Sequence, residues 1–85
     1  MIIIDTQTFA LHQDIIVFND NKEILTRTKA SIKNIPEVVT QLAETHQVYD
    51  IKLMGNKKFN EKLREKIINC YISKYSIDRL KVQVI

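Results

Sequence analysis

The sequence predicts an α/β domain, or α+β in the looser description, in which a five-strand mixed sheet carries two main helices in the order β-β-β-α-β-α-β. Three observations predict it. Two stretches rich in branched residues, Asp14 to Phe18 and Glu23 to Lys29, flank Asn19-Asp20-Asn21-Lys22, whose Asn and Asp residues tolerate left-handed conformations, and together they mark an antiparallel hairpin. Phe59, Leu63, Ile67, Tyr71 and Tyr75 recur every four residues and mark a long helix over 57–75. The last two strand candidates each follow a helical stretch long enough to cross over the sheet, which makes them parallel.

The elements follow in order. Ile2 to Ile4 form a short first strand that ends on Asp5 and the polar Thr6-Gln7-Thr8; the stretch from Thr6 to Gln13 is either a loop or an extension of that strand. After the hairpin, Asn34-Ile35-Pro36-Glu37 has the form of a capping box, with Asn34 accepting from a free amide and Glu37 returning the bond. Pro36 suits a first helical turn because its missing donor would have no partner there. A helix over about 35–46 follows, with Val38, Val39, Leu42 and Ala43 facing inward. Tyr49 to Met54 alternates and stops at Gly55-Asn56. The long helix comes next, and Leu80, Val82 and Val84 supply the final strand.

At 85 residues and 45% hydrophobic, the chain has material for one core, so residues 1–85 read as a single domain. Its one cysteine, Cys70, excludes an intramolecular disulfide and a CxxC element, which favours a cytoplasmic setting. No basic segment precedes Ile2 to Ile4, and the run is too short to cross a bilayer, so neither a signal peptide nor a membrane partner is expected. The net charge of +3 is uneven: residues 1–43 hold four Lys/Arg against five Asp/Glu, and residues 44–85 hold nine against five. A basic second half attracts polyanions such as nucleic acid, or acidic proteins.

The antiparallel three-strand start followed by αβαβ, and MIIIDTQT, where an apolar run delivers an aspartate followed by small polar residues, resemble the ribonuclease H-like and actin-like superfamily. The resemblance implies, for its nucleases, several carboxylates around a divalent metal: one from the first strand, one from the first helix and one near the end of the fourth strand. Asp5 matches the first, and Glu37 or Glu44 the second. The fourth strand departs from the pattern, because Asp50 stands at its beginning while its exit reads Met54-Gly55-Asn56; the late acid is also missing, since Asp78 precedes the last strand. For the ATPases the resemblance implies glycine-containing phosphate turns, and Asp5-Thr6-Gln7-Thr8 has no glycine.

Among binding candidates, Gly55 and Asn56 precede a helix whose amides and positive dipole end suit an anion, with Lys57 and Lys58 adding charge. Lys58, Lys62 and Lys66 recur every four residues with Arg64 nearby, and Glu61 and Glu65 are placed to offset them through three-residue pairs. His12 and His46 have no spacing that makes a metal signature, and Cys70, among Ile68, Tyr71 and Ile72, reads as a packed thiol. Ile68 and Ile72 widen the apolar surface, and the final Val82-Gln83-Val84-Ile85 offers an edge to another chain, so Ile68, Ile72, Val82 and Val84 suit a homodimer or another protein partner. The expected function is a small, non-enzymatic, self-associating interaction or accessory protein that binds a polyanion or an acidic protein and needs no cofactor. The alternative is a reduced ribonuclease H-like nuclease using Asp5, a helix carboxylate and Mg²⁺.

Overall fold

The computed structural model describes residues 1–85. Its elements are β1 (Ile2–Asp5), β2 (His12–Phe18), β3 (Ile24–Ser31), a 3₁₀ turn (Ile32–Asn34), α1 (Ile35–His46), β4 (Asp50–Met54), α2 (Lys57–Tyr75) and β5 (Lys81–Val84). The sheet order is β3-β2-β1-β4-β5. The short central strand β1 is antiparallel to β2, with Ile4 opposite Ile15, and parallel to β4, with Ile4 opposite Leu53. The expected mixed sheet, with its antiparallel start and helix-linked parallel strands, is the observed one.

Strand alternation sends Ile2, Ile4, Ile15, Val17, Ile51 and Leu53 to one face, where α1 and α2 cover them with Val39, Ala43, Leu63, Ile67 and Tyr71; all are buried in a single core. Each large apolar side chain so buried contributes about 1.5–3 kcal/mol relative to exposure. The alternate residues Ile3, Ile16, Phe18 and Lys52 lie on the opposite face and stay half-buried, because no helix packs there. No helix is long and apolar enough to cross a membrane.

Local chemistry differs from the sequence reading in two places. The capping box at Asn34 does not form: the 3₁₀ turn already places Asn34 at φ −96 and ψ −4, a helical backbone from which its side chain makes no cap bond. A true cap needs an extended backbone, and Asn56 supplies one at α2, its Oδ1 accepting from Phe59 N at 2.9 Å. The hairpin strands also outrun their apolar runs. Pairing of His12 with Ser31 and Gln13 with Ala30 carries the ladder past Asp14, leaving residues 6–11 as the loop.

With one glycine in the chain, left-handed positions fall to other residues: Lys22 in the hairpin turn, Gln47 after α1 and Ser76 after α2. Gly55 itself is reserved for a tighter requirement. It has φ +104, and a Cβ built there would fall on Gln7 N and lie 2.6 Å from the carbonyl carbon of Thr6. The turn from β4 into α2 therefore rests directly on the backbone leaving β1. Gly55→Ala should cost more than about 2 kcal/mol, since both the backbone angle and the rigid neighbouring chain oppose the methyl group. Urea unfolding followed by circular dichroism measures this loss; a smaller cost would show that the two turns can separate.

Candidate functional site

The chain leaves β1 toward β2 on one side and leaves β4 toward β5 on the other, so the carboxyl ends of β1 and β4 form the switch point where open α/β sheets place ligands. Here the protein fills that crevice. Thr6, buried at 3% exposure, donates its hydroxyl to Asn60 Oδ1 at 2.5 Å, lies 3.1 Å from the carbonyl of Met54, and accepts from Asn56 N at 3.3 Å. Its own amide donates to the Met54 carbonyl at 2.8 Å. Gln13, also buried, staples the loop by donating to the carbonyls of Thr8 and Ala10 at 2.9 and 3.2 Å, and Phe9 meets Phe59 edge-on with ring centroids 6.5 Å apart.

Gly55 and Asn56 thus serve the junction. The third and fourth amides of α2 are taken internally, Phe59 N by the Asn56 side chain and Asn60 N by the Asn56 carbonyl at 2.9 Å. The sequence reading passed over Thr6, Gln13 and Asn60. For Asn60 the signal was present: it stands in phase with Leu63, Ile67 and Tyr71, so helical periodicity places it on the buried stripe.

The candidate carboxylates occupy separate places. Asp5 lies on the uncovered face directly opposite Asp14 across the β1–β2 ladder, and its Oδ1 accepts from Gln7 N at 2.9 Å. Lys29 approaches Asp14 Oδ1 at 3.0 Å, and these groups rim a shallow hollow of about 190 Å³ with Thr8 and His12. That oxygen is shielded from solvent, and the lysine contact lacks hydrogen-bond geometry. Glu37 instead lines a groove between α1 and α2 with Thr40 and Cys70, while Glu44 accepts the Tyr71 hydroxyl at 2.6 Å. No three His, Cys, Asp or Glu side chains converge as metal ligands do, so Asp5, Glu37 and Glu44 do not assemble as a set. His12 is exposed, His46 half-buried in the last turn of α1, and Cys70 half-buried.

The binding and interface candidates are better gathered. Lys57, Lys58, Lys62 and Lys66 are exposed, Arg64 is half-buried, and Leu63, Ile67 and Tyr71 face the core. The expected three-residue pairs to Glu61 and Glu65 do not form, because the Lys29–Asp14 contact is the only ion pair in the protein. Cys70, Ser73 and Lys74 mark the flank of α2 that faces α1. Ile68 and Ile72 therefore occupy the other flank, beside β5, where Val82 and Val84 lie half-buried on the helix-covered side of the sheet. Comparison with family models, curated proteins and solved structures finds no match for the chain.

Two side chains here have measurable consequences. Burial, aided by the hydrogen bond to Glu44, pushes the Tyr71 phenol up to about 12 from 10.0. A phenol raised in this way contributes stability that is fully present below its unfolded value and is lost as pH rises toward its folded one. Stability should therefore decline between pH 10.0 and about 12 in the native chain. Tyr71→Phe should remove this component of the decline, which urea midpoints across that range would reveal. Separately, like charges directly opposite in a ladder oppose pairing, so Asp5→Asn, which preserves the oxygen that accepts from Gln7, should stabilise the fold by about 0.2–1 kcal/mol at neutral pH. Urea midpoints of the two proteins measure the gain; a destabilised variant would contradict the repulsion.

Proposed function

We propose that this chain is a non-enzymatic interaction domain that self-associates by pairing β5 with β5 of a second copy. The observation that carries the reading is the free backbone edge of β5, which carries a single lysine, Lys81, and lies beside Ile68 and Ile72 of α2. Lys81 N donates to the carbonyl of Tyr49 and Ile85 N to that of Leu53, so alternate residues of β5 bond inward to β4. The backbone groups of Val82 and Val84 then point away from the sheet, unpaired.

Those groups are self-complementary. An antiparallel two-fold pairing centred on Gln83 sets Val82 opposite Val84 of the second copy and forms about four backbone hydrogen bonds. It also sets Lys81 opposite Ile85, keeping the two lysines apart, and brings the Ile68 and Ile72 flanks toward one another above the joined strands. The other sheet edge is less suited to this role. β3 carries Arg27 and Lys29 on its uncovered side, and the β2–β3 ladder has an irregularity at Val17/Phe18. The nuclease alternative has no comparable support, because its carboxylates sit on the uncovered sheet face, in the interhelical groove and against Tyr71.

Light scattering tests the proposal. The protein should show twice its 10.0 kDa chain mass at about 100 µM, where even weak edge pairing is populated. Val84→Pro removes an outward-facing donor that makes no bond within the fold, so it should yield a monomer with unchanged circular dichroism. Ile72→Glu should also yield a monomer by placing like charges at the joined flank. A monomeric native chain, or a dimer that survives both substitutions, would refute the pairing.

A further inference from the structure

We infer that the outer ridge of α2 is a sequence-independent binding surface for duplex nucleic acid, recognised through backbone phosphates. Lys58, Lys62 and Lys66 stand on the solvent side of an uninterrupted helix of 19 residues, all exposed. Four-residue steps separate their Cα atoms by about 6 Å along the axis and rotate them by only about 40° each, so the lysines spring from one gently turning row. Their charge is unspent. The only ion pair in the protein is between Lys29 and Asp14, and neither Glu61 nor Glu65 reaches a lysine of the ridge.

The surroundings select the kind of polyanion. By helical phase Glu61 and Glu65 border the ridge on its β5 side, and the ridge turns away from them toward α1 as it runs from Lys58 to Lys66. Beside the ridge lie Asn69 and Ser73, both exposed and polar. Protein partners are held by a desolvated apolar centre, and lysine is depleted in such interfaces. Membrane-surface helices need an apolar face next to their cations. A row of free ammonium groups bordered by Asn69 and Ser73, with Ile68 and Ile72 turned toward β5, suits a rod of closely spaced phosphates, where binding is driven by release of condensed counterions. Neighbouring α1 limits the footprint: it carries Glu37 and Glu44 and no lysine or arginine, and Glu37 is exposed at the groove beside α2.

The inference is independent of β5 pairing, and its test uses the native chain with a fluorescein-labelled 20-base-pair DNA duplex, followed by anisotropy across a potassium chloride series. Lys58, Lys62 and Lys66 replaced together by glutamine should reduce affinity at least about tenfold at low salt and make the slope of log affinity against log salt shallower by nearly 3, about 0.9 per lost phosphate contact. A control with the same charge change on the uncovered sheet side, Lys22, Arg27 and Lys52 to glutamine, should alter the slope by less than about 1. Glu37→Gln should tighten binding, since it removes a negative charge from the groove on the α1 side of α2. Equal losses in the two triple variants would show attraction by net charge alone and overturn the assignment. No binding to the duplex at low salt would overturn it as well, as would binding to phosphatidylserine vesicles in its absence.

Discussion

The structure depends on a close contact between two turns. β1 has only four residues, yet it is the centre of the sheet and the point where an antiparallel hairpin meets two parallel strands. What holds it in register at its carboxyl end is the approach of Gly55 to the Thr6–Gln7 backbone, closed by the Thr6 hydroxyl between Asn60 and Met54. A side chain at residue 55 would separate the β4–α2 turn from β1. Asn60 would then lose its partner while remaining inside the protein, where an unpaired polar group costs about 1–3 kcal/mol.

That arrangement has a functional corollary. The crevice that sheets of this kind offer to ligands is consumed by Thr6, Gly55, Asn56 and Asn60, with the Phe9–Phe59 contact close beside it. One amide nitrogen, Asn60 Nδ2, is left buried without a partner, so the junction is tight without being fully satisfied. With the switch point spent on stability, the features left for recognition are peripheral: a free strand edge, an uncovered sheet face and a helix ridge. The proposed self-pairing and phosphate contacts both use these peripheral features.

Charge is distributed to match. α1 and α2 lie side by side with opposite character, one holding Glu37 and Glu44 and the other six Lys/Arg against two Glu, yet no ion pair links them. Their contact is apolar, through Val39, Ala43, Ile67 and Tyr71 in the common core, with the Tyr71–Glu44 hydrogen bond as the polar tie. Exposed ion pairs contribute little to stability, so leaving the lysines free costs the fold almost nothing.

The sequence alone determined the element order and the extent of both helices, because branched alternation, the Asn-Asp turn and the four-residue stripe from Phe59 to Tyr75 are local signals with periods of their own. It also determined that Leu63, Ile67 and Tyr71 face inward while Lys58, Lys62 and Lys66 face out, since helical phase separates them before any packing occurs. It did not determine the lengths of β2 and β3, which were extended by cross-strand pairing, or the failure of Asn34 as a cap, which followed from the 3₁₀ turn before it. The fate of Asp5 and Gly55 was likewise decided only in three dimensions. Asp5 stands opposite Asp14 rather than near Glu37 or Glu44, because strand register and sheet face, which join residues distant in the chain, choose a carboxylate's neighbours. Gly55 reads locally as a turn residue, and only the adjacency of β1 and β4 reveals the backbone that a Cβ there would strike.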